Sequence, residues 1–343
     1  MKVFHSLCLF LSFVIITNTH FFNNSLSTTR YSFQNNNIIV NGIPNSISYS
    51  IPQNTFYNEK YSYENMKYIV DQLINCKIDN YYILIQEIYN CNNGFTYSTN
   101  IDDIVKIAKY IKSNEKDVSV KIHTVTSPII LNSNLELWES QHYEYVNSLI
   151  NALNSESIHL RWFIDFNENP TVMENPSFEP FVNNIMALAS QIGKTGISFS
   201  GFDRVYSANS KIVSNLDCIA VNLYPKVGSS NGLANSQLSV SHIATKISSY
   251  NYKKDVKILK NKYHVPIILT EIGVCNIWEA YNSPEKWNWN NELSSGTVSL
   301  VPDGTPNLRY FQGVFIALEN AGFDEISLWY NINYNLLIEF LKK

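Results

Sequence analysis

Two glutamates in this chain stand where short apolar runs stop. Glu168 closes the run that begins at Trp162, and Glu271 closes Pro266-Ile267-Ile268-Leu269-Thr270. A carboxylate at the end of a buried strand is costly to desolvate unless it faces a cleft, and two such ends imply one cleft. One protonated and one ionised carboxyl group on either side of a sugar is the arrangement that hydrolyses glycosidic bonds. Asn167-Glu168 is one of several Asn-Glu pairs, beside Asn58-Glu59, Asn114-Glu115 and Asn291-Glu292. The other three lie in polar surroundings, whereas Asn167-Glu168 follows an apolar stretch of strand length and has Pro170 close behind it.

Elements that position these residues can be read from hydrophobic patterning. Strand-like runs fall at Ile38–Val40, Tyr81–Ile88, Val118–Val125, Leu160–Phe166, Gly196–Ser200, Cys218–Leu223, Pro266–Thr270 and Glu325–Trp329. They are near-continuous apolar runs, as expected of parallel strands covered on both faces. Between them apolar residues recur at helical spacing. Ile101, Ile104, Val105, Ala108 and Ile111 form one face, Phe181, Ile185, Leu188 and Ala189 a second, and Phe311, Val314, Phe315 and Leu318 a third. Eight strands alternating with helices predict a (β/α)8 TIM barrel. A doubly wound open sheet would carry a Gly-rich first turn, and Ile38–Ile43 holds Gly42 alone.

In such a barrel the chemistry sits at the C-terminal strand ends. Those ends carry Glu87 and Tyr89 on the second strand, His123 on the third, Asn167 and Glu168 on the fourth, Asn222 and Tyr224 on the sixth, Glu271 on the seventh and Trp329 on the eighth. Singly, each has a structural reading: His123 as a hydrogen-bonded core histidine, Tyr224 before Pro225 as a turn aromatic, Trp329 as core. Together they describe one polar and aromatic rim. Trp278, Trp287 and Trp289 follow the seventh strand, suited either to stacking on pyranose faces or to packing among themselves.

The stretches Phe163-Ile164-Asp165-Phe166-Asn167-Glu168-Asn169-Pro170, Asp217 to Pro225, Val265 to Gly273 and Ile326 to Tyr330, with Val120-Lys121-Ile122-His123, sit in the order found in a known group. From about residue 36 onward the chain resembles the retaining glycoside hydrolases of clan A, (β/α)8 barrels whose acid/base and nucleophile end strands four and seven. The cadence of Leu269-Thr270-Glu271-Ile272-Gly273 and Lys121-Ile122-His123 is similar to cellulases and mannanases of families 5 and 113. The resemblance implies Glu168 as acid/base, Glu271 as nucleophile, Asn167 as the residue holding the sugar 2-hydroxyl, and Trp329 as the platform under the sugar. It further implies His123, Asn222 and Tyr224 as substrate-binding residues. Many of these families also place an arginine beside the nucleophile from strand two, and Tyr81–Tyr89 contains none.

Bulk properties narrow the remaining classes. At 343 residues and a net charge of −4 the chain offers no basic stripe to nucleic acid and no polybasic cluster to a membrane. Lys2, the apolar run Val3 to Ile16 and Thr17-Asn18-Thr19 read as a signal peptide over residues 1–19, a retained signal anchor being the competing reading. Residues 20–35 form a polar tether and residues 36–343 the catalytic domain. The expected protein is secreted and monomeric, without stable membrane insertion, and its partner is an oligo- or polysaccharide. No cofactor is expected, and no metal, since the seven histidines form no helical pair at ligand spacing. Gly196-Ile197-Ser198-Phe199-Ser200 lacks the final glycine of a serine-hydrolase elbow. A catalytically inactive carbohydrate-binding barrel is the alternative that the rim leaves open.

After loss of Cys8, four cysteines remain. Cys76 and Cys91 bracket a strand that sets them roughly 25 Å apart, beyond disulfide reach. They are expected to be mostly buried free thiols, with Cys91 to Cys275 the one same-face pairing left.

Overall fold

The computed structural model describes residues 47–51, 62–124, 130, 133–165, 178–286, 289–329 and 341, all within one compact unit, Gly42–Lys343. The expected first strand Ile38–Val40, the signal and tether segments, and Phe166, Asn167, Glu168 and Trp287 lie outside the described residues.

Among the described residues eight parallel strands form a (β/α)8 barrel. They are β1 (Ile47–Ile51), β2 (Asn80–Asn90), β4 (Asp117–Thr124), β5 (Arg161–Asp165), β6 (Thr195–Phe199), β7 (Cys218–Asn222), β8 (Ile267–Ile272) and β9 (Glu325–Leu328). Each pairs with the next, and β1 pairs in parallel with both β9 and β2, so the ring closes. The first barrel strand is thus Ile47–Ile51, a short polar-apolar alternation without the apolar run that marks the other strands. The long β2 continues beyond the ring into an antiparallel hairpin with β3 (Gly94–Tyr97), pairing Glu87 with Tyr97.

The helices obey their local signals. Helix α1 (Tyr63–Leu73) is capped by Ser62, and α2 (Ile101–Ser113) by Asn100, whose side chain accepts from the Asp103 amide at 2.8 Å. Acidic residues open α2 and Lys112 closes it, matching the helix dipole. Its buried face is Ile104, Ile107, Ala108 and Ile111, so Ile107 takes the inward place expected of Val105. Next come α3 (Leu135–Ser155), α4 (Phe178–Ala189), and the short α5 (Phe202–Ser207) and α6 (Ser210–Ser214). The short α7 (Gly232–Ser236), α8 (Val240–Ser248) and α9 (Tyr252–Tyr263) lie between β7 and β8. A 3-10 turn (Trp278–Tyr281), α10 (Asn290–Ser294) and α11 (Thr305–Leu318) lead to β9. On α11 the expected residues Phe311, Val314, Phe315 and Leu318 are all buried. Among the described residues no helix is long and apolar enough to cross a membrane.

Inside the ring the side chains stack in layers. The middle is apolar: Tyr82, Leu84, Phe163, Cys218, Ala220 and Ile268, with Trp329 packed against them. Burying each large apolar side chain contributes roughly 1.5–3 kcal/mol. Gly196 keeps this layer closed, since a Cβ there would lie 2.8 Å from both the Cys218 Sγ and a Phe163 ring carbon. At the N-terminal end Glu325 accepts from Tyr82 at 2.8 Å and pairs with Arg161 at 2.7 Å, and Arg161 Nε donates to Ser119 at 3.2 Å. The opposite end is also polar, and is described below.

The four cysteines are free thiols: Cys76 and Cys218 are buried, Cys275 is half-buried, and Cys91 is exposed. The exposure of Cys91 departs from the expected burial, because the hairpin carries it past the sheet.

Candidate active site at the C-terminal mouth of the barrel

Alternation along β4 turns Ser119, Lys121 and His123 into the ring while Val118, Val120 and Ile122 face the helices. From β5 the same parity sends Asp165 inward, and from β7 Asn222. On β8 the parity breaks. Val221 pairs with Leu269 but Asn222 pairs with Glu271, so β8 carries an extra residue. A bulge of this kind re-aims a side chain at a strand end, and here Thr270 and Glu271 both reach the interior polar network.

Lys121 is the centre of that network. Its ammonium, fully buried, lies 2.5 Å from Glu271 Oε1 and 2.8 Å from Asp165 Oδ2, and donates to Asn222 Oδ1 at 3.1 Å. Asn222 Nδ2 donates to Asp165 at 3.1 Å. Its Oδ1 also lies 3.0 Å from the Ser198 hydroxyl and 2.9 Å from that of Thr270. These contacts fix the amide so that its oxygen faces the cation and its nitrogen the carboxylate. The Tyr224 hydroxyl donates to Glu271 Oε2, so both oxygens of Glu271 receive a donor. His123 Nδ1 lies 3.0 Å from Asp165 Oδ2. Trp329 continues the β9 ladder through its amide, 3.0 Å from the Ile272 carbonyl, and sets its ring edge-on to Tyr224 at 5.8 Å.

Electrostatics follow from this packing. Burial alone would lift the Asp165 carboxyl, but Lys121 and then His123 outweigh it and hold the group well below the usual carboxylate range. Burial would likewise depress Lys121 and His123. Asp165 followed by Glu271 keeps the lysine above its ordinary value, and Asp165 does the same for the histidine. His123, Asp165 and Glu271 gather potential ligand atoms within 4.8 Å of one another. The Lys121 ammonium already lies between the two carboxylates, so a divalent cation placed there would meet a fixed positive charge.

Of the residues expected at the site, His123, Asn222, Tyr224, Glu271 and Trp329 come together at one mouth, while Asn167 and Glu168 lie outside the described residues. Asn222 is buried beneath the mouth, holding Lys121 and Asp165. Glu87 departs from the rim reading: it faces the helix layer, taking Trp138 Nε1 at 2.5 Å, His142 Nδ1 at 2.8 Å and the Tyr97 hydroxyl at 3.1 Å. Tyr89 packs on Phe95 of the hairpin. Trp278 stacks under the guanidinium of Arg309 on α11, and Trp289 is buried with its indole nitrogen on the Lys286 carbonyl, so these two loop tryptophans are engaged by the protein itself. Strand-end logic does not single out Lys121, which stands inside β4, or Asp165, which ends β5 but falls inside the expected strand Leu160–Phe166. The signal was present in the composition of the strands: a lysine inside an apolar strand is a buried charge that requires a carboxylate partner.

No protein-family model matches the chain, and no curated protein matches it by sequence. Solved structures do. A GH113 β-mannanase from Alicyclobacillus acidocaldarius, in complex with ManMIm, superposes with a TM-score of 0.58 at 8% identity, covering 85% of this chain and 88% of that one. A GH113 β-1,4-mannanase complex gives 0.58 at 10% identity over 84% and 88%. A hyperthermophilic endo-β-1,4-glucanase in complex with substrate gives 0.51 at 11% over 85% and 90%. At such identities the likeness establishes the fold. It agrees with the closed ring of parallel strands and leaves the chemistry to be argued from the site.

Proposed function

We propose that the protein is a glycoside hydrolase that cleaves β-linked glycans with retention of configuration. Glu271 is the nucleophile and Glu168, three positions past the end of β5, the acid/base. The observation that carries this reading is the setting of Glu271. Its carboxylate stands at the catalytic end of a barrel strand, re-aimed by a bulge, with Lys121 on one oxygen and Tyr224 on the other. A carboxylate so held is oriented, as a nucleophile must be. Fold likeness to mannanases and an endo-glucanase supports β-1,4-linked mannan or glucan as the first substrates to try.

In the first step a Glu271 oxygen bonds to the anomeric carbon while the bond to the leaving oxygen breaks and that oxygen takes the Glu168 proton. Glu271 becomes a neutral ester. In the second step Glu168, now ionised, removes a proton from water, and the resulting oxygen displaces Glu271. The Trp329 ring beside Tyr224 offers an apolar face to a sugar in this mouth.

The test is turnover of β-glycans and aryl β-glycosides by the purified protein and its variants. Glu271→Ala should lose turnover and regain it with azide, yielding a glycosyl azide of inverted configuration. Glu168→Ala should retain the first step on substrates with good leaving groups and stall at the glycosyl-enzyme. Undiminished hydrolysis by both variants would remove the two residues from catalysis. Oligosaccharide binding without any cleavage by the wild type would replace the enzyme with a binding barrel.

A further inference from the structure

We infer that Lys121 and Asp165 act as a charge-balancing pair for Glu271, positioning residues that hold the nucleophile before glycosylation and leave no unpaired charge after it. The inference rests on the glycosidase reading for its catalytic consequence, and on the geometry alone for its electrostatics.

Lys121 and Asp165 are fully buried and Glu271 is 1% exposed. A lone lysine in such a place would lose its proton, and two carboxylates without it could not both ionise. The lysine lies 2.5 Å from one carboxylate and 2.8 Å from the other. At pH values above the raised pKa of His123, where that imidazole is neutral, Lys121, Asp165 and Glu271 carry a net charge of about −1, localised where the sugar arrives. When Glu271 forms its ester the bond consumes that negative charge, and Lys121 with Asp165 remains as a neutral, hydrogen-bonded pair. Were Glu271 the lysine's only partner, each glycosylation would strand a buried cation, raising the barrier. Asn222 completes the device by donating to Asp165 and accepting from Lys121, so the pair stays in place when Glu271 leaves it. The missing strand-two arginine is thereby answered from β4. The groups facing Glu271 are Lys121 and, farther off, His123 from β4, Asp165 from β5, and Tyr224 after β7.

Three variants separate this role from mere support of the fold. Lys121→Met should leave Glu271 beside Asp165 without the ammonium between them, moving the acidic limb of kcat/KM upward by about one pH unit or more. It should lower kcat by about 100-fold with a smaller change in KM. Lys121→Arg should recover part of the loss. Lys121→Met/Asp165→Asn restores the net charge, so its acidic limb should return toward the wild-type position; a purely structural lysine gives no reason for a second buried change to help. Independently of activity, carbon-13 NMR of labelled glutamate carboxyls, with Glu271 assigned by Glu271→Gln, should show Glu271 protonating at higher pH in Lys121→Met and lower again in the double variant. An unmoved Glu271 midpoint in folded Lys121→Met overturns the inference whether or not the protein cleaves glycans. A double variant whose limb and midpoint stay with the single variant overturns it too. A wild type that cleaves no glycoside overturns the parent reading and the catalytic consequence, and the carboxyl titration then still decides the electrostatics.

Discussion

Tyr224 and Lys121 divide the two oxygens of Glu271 between them, and the two donors differ in what their loss should do. Tyr224→Phe removes one hydrogen bond to a charged group, worth about 1.5–3 kcal/mol, while leaving the ion pair. The carboxylate should then be less well oriented, with kcat falling by roughly tenfold to a hundredfold on aryl β-glycosides. Equal kcat in Tyr224→Phe and wild type would show that Lys121 alone orients Glu271. His123 makes a separate, pH-dependent contribution. Its proton is favoured in the folded state by Asp165 against the opposing effect of burial, so its folded pKa lies above the unfolded value. Stability from this group is fully present below about pH 6.5 and is lost as pH rises through the raised folded pKa. The melting-temperature gap between wild type and His123→Gln should therefore be widest in mild acid and narrow toward alkaline pH; a gap that widens with pH would contradict the sign. His123 and Glu271 were legible in the sequence as polar residues at strand ends. Lys121 and Asp165 showed only as charges in apolar strands, and what they do there comes from meeting Glu271, which is distant from both in the chain.

At the level of elements, the strands of Val/Ile/Leu character were readable since a strand covered on both faces must be apolar, and seven of the eight expected positions hold. The departure at the first strand has the same cause inverted: Ile47–Ile51 alternates with serine and tyrosine, and carries too little apolar signal to stand out. The bulge in β8 was equally invisible, since nothing in Leu269-Thr270-Glu271 announces a change of parity. Its consequence is testable through Thr270, the additional residue. The Thr270 hydroxyl reaches Asn222 Oδ1 at 2.9 Å and the Val221 carbonyl at 3.2 Å, tying the bulge to β7. Thr270→Val keeps the shape and removes these bonds together with that to the Ser198 hydroxyl at 2.7 Å, at a stability cost of about 1–3 kcal/mol by urea denaturation. Because Asn222 loses a restraint, kcat should fall more than KM changes. Wild-type kinetics in a destabilised Thr270→Val would mean that the bulge holds the sheet without holding the site.

Inside the ring, among the described residues, the buried charges are sorted by end. Arg161 and Glu325 at the N-terminal end are joined by Tyr82 and Ser119, a cluster far along the strands from the mouth. Lys121, Asp165 and Glu271 form a second buried ionic cluster at the C-terminal end, with two carboxylates to one lysine. On the proposed function, the lower cluster serves stability, whereas the upper one, with two carboxylates to one lysine, accepts electrostatic strain for the sake of chemistry. The two clusters should therefore answer substitution in opposite ways. Glu325→Ala leaves Arg161 without its carboxylate and the Tyr82 hydroxyl without that acceptor, and should cost about 3 kcal/mol or more of stability while kcat and KM remain those of the wild type wherever the protein is folded. Glu271→Gln removes one of two adjacent carboxylates yet leaves Lys121 paired with Asp165, so its melting temperature should equal or exceed that of the wild type while turnover is lost. Calorimetry and turnover on the same two preparations give the comparison. A Glu271→Gln protein that melts well below wild type, or a Glu325→Ala protein that is stable but slow, would mean that the division of labour between the two ends is not the one the strand order implies.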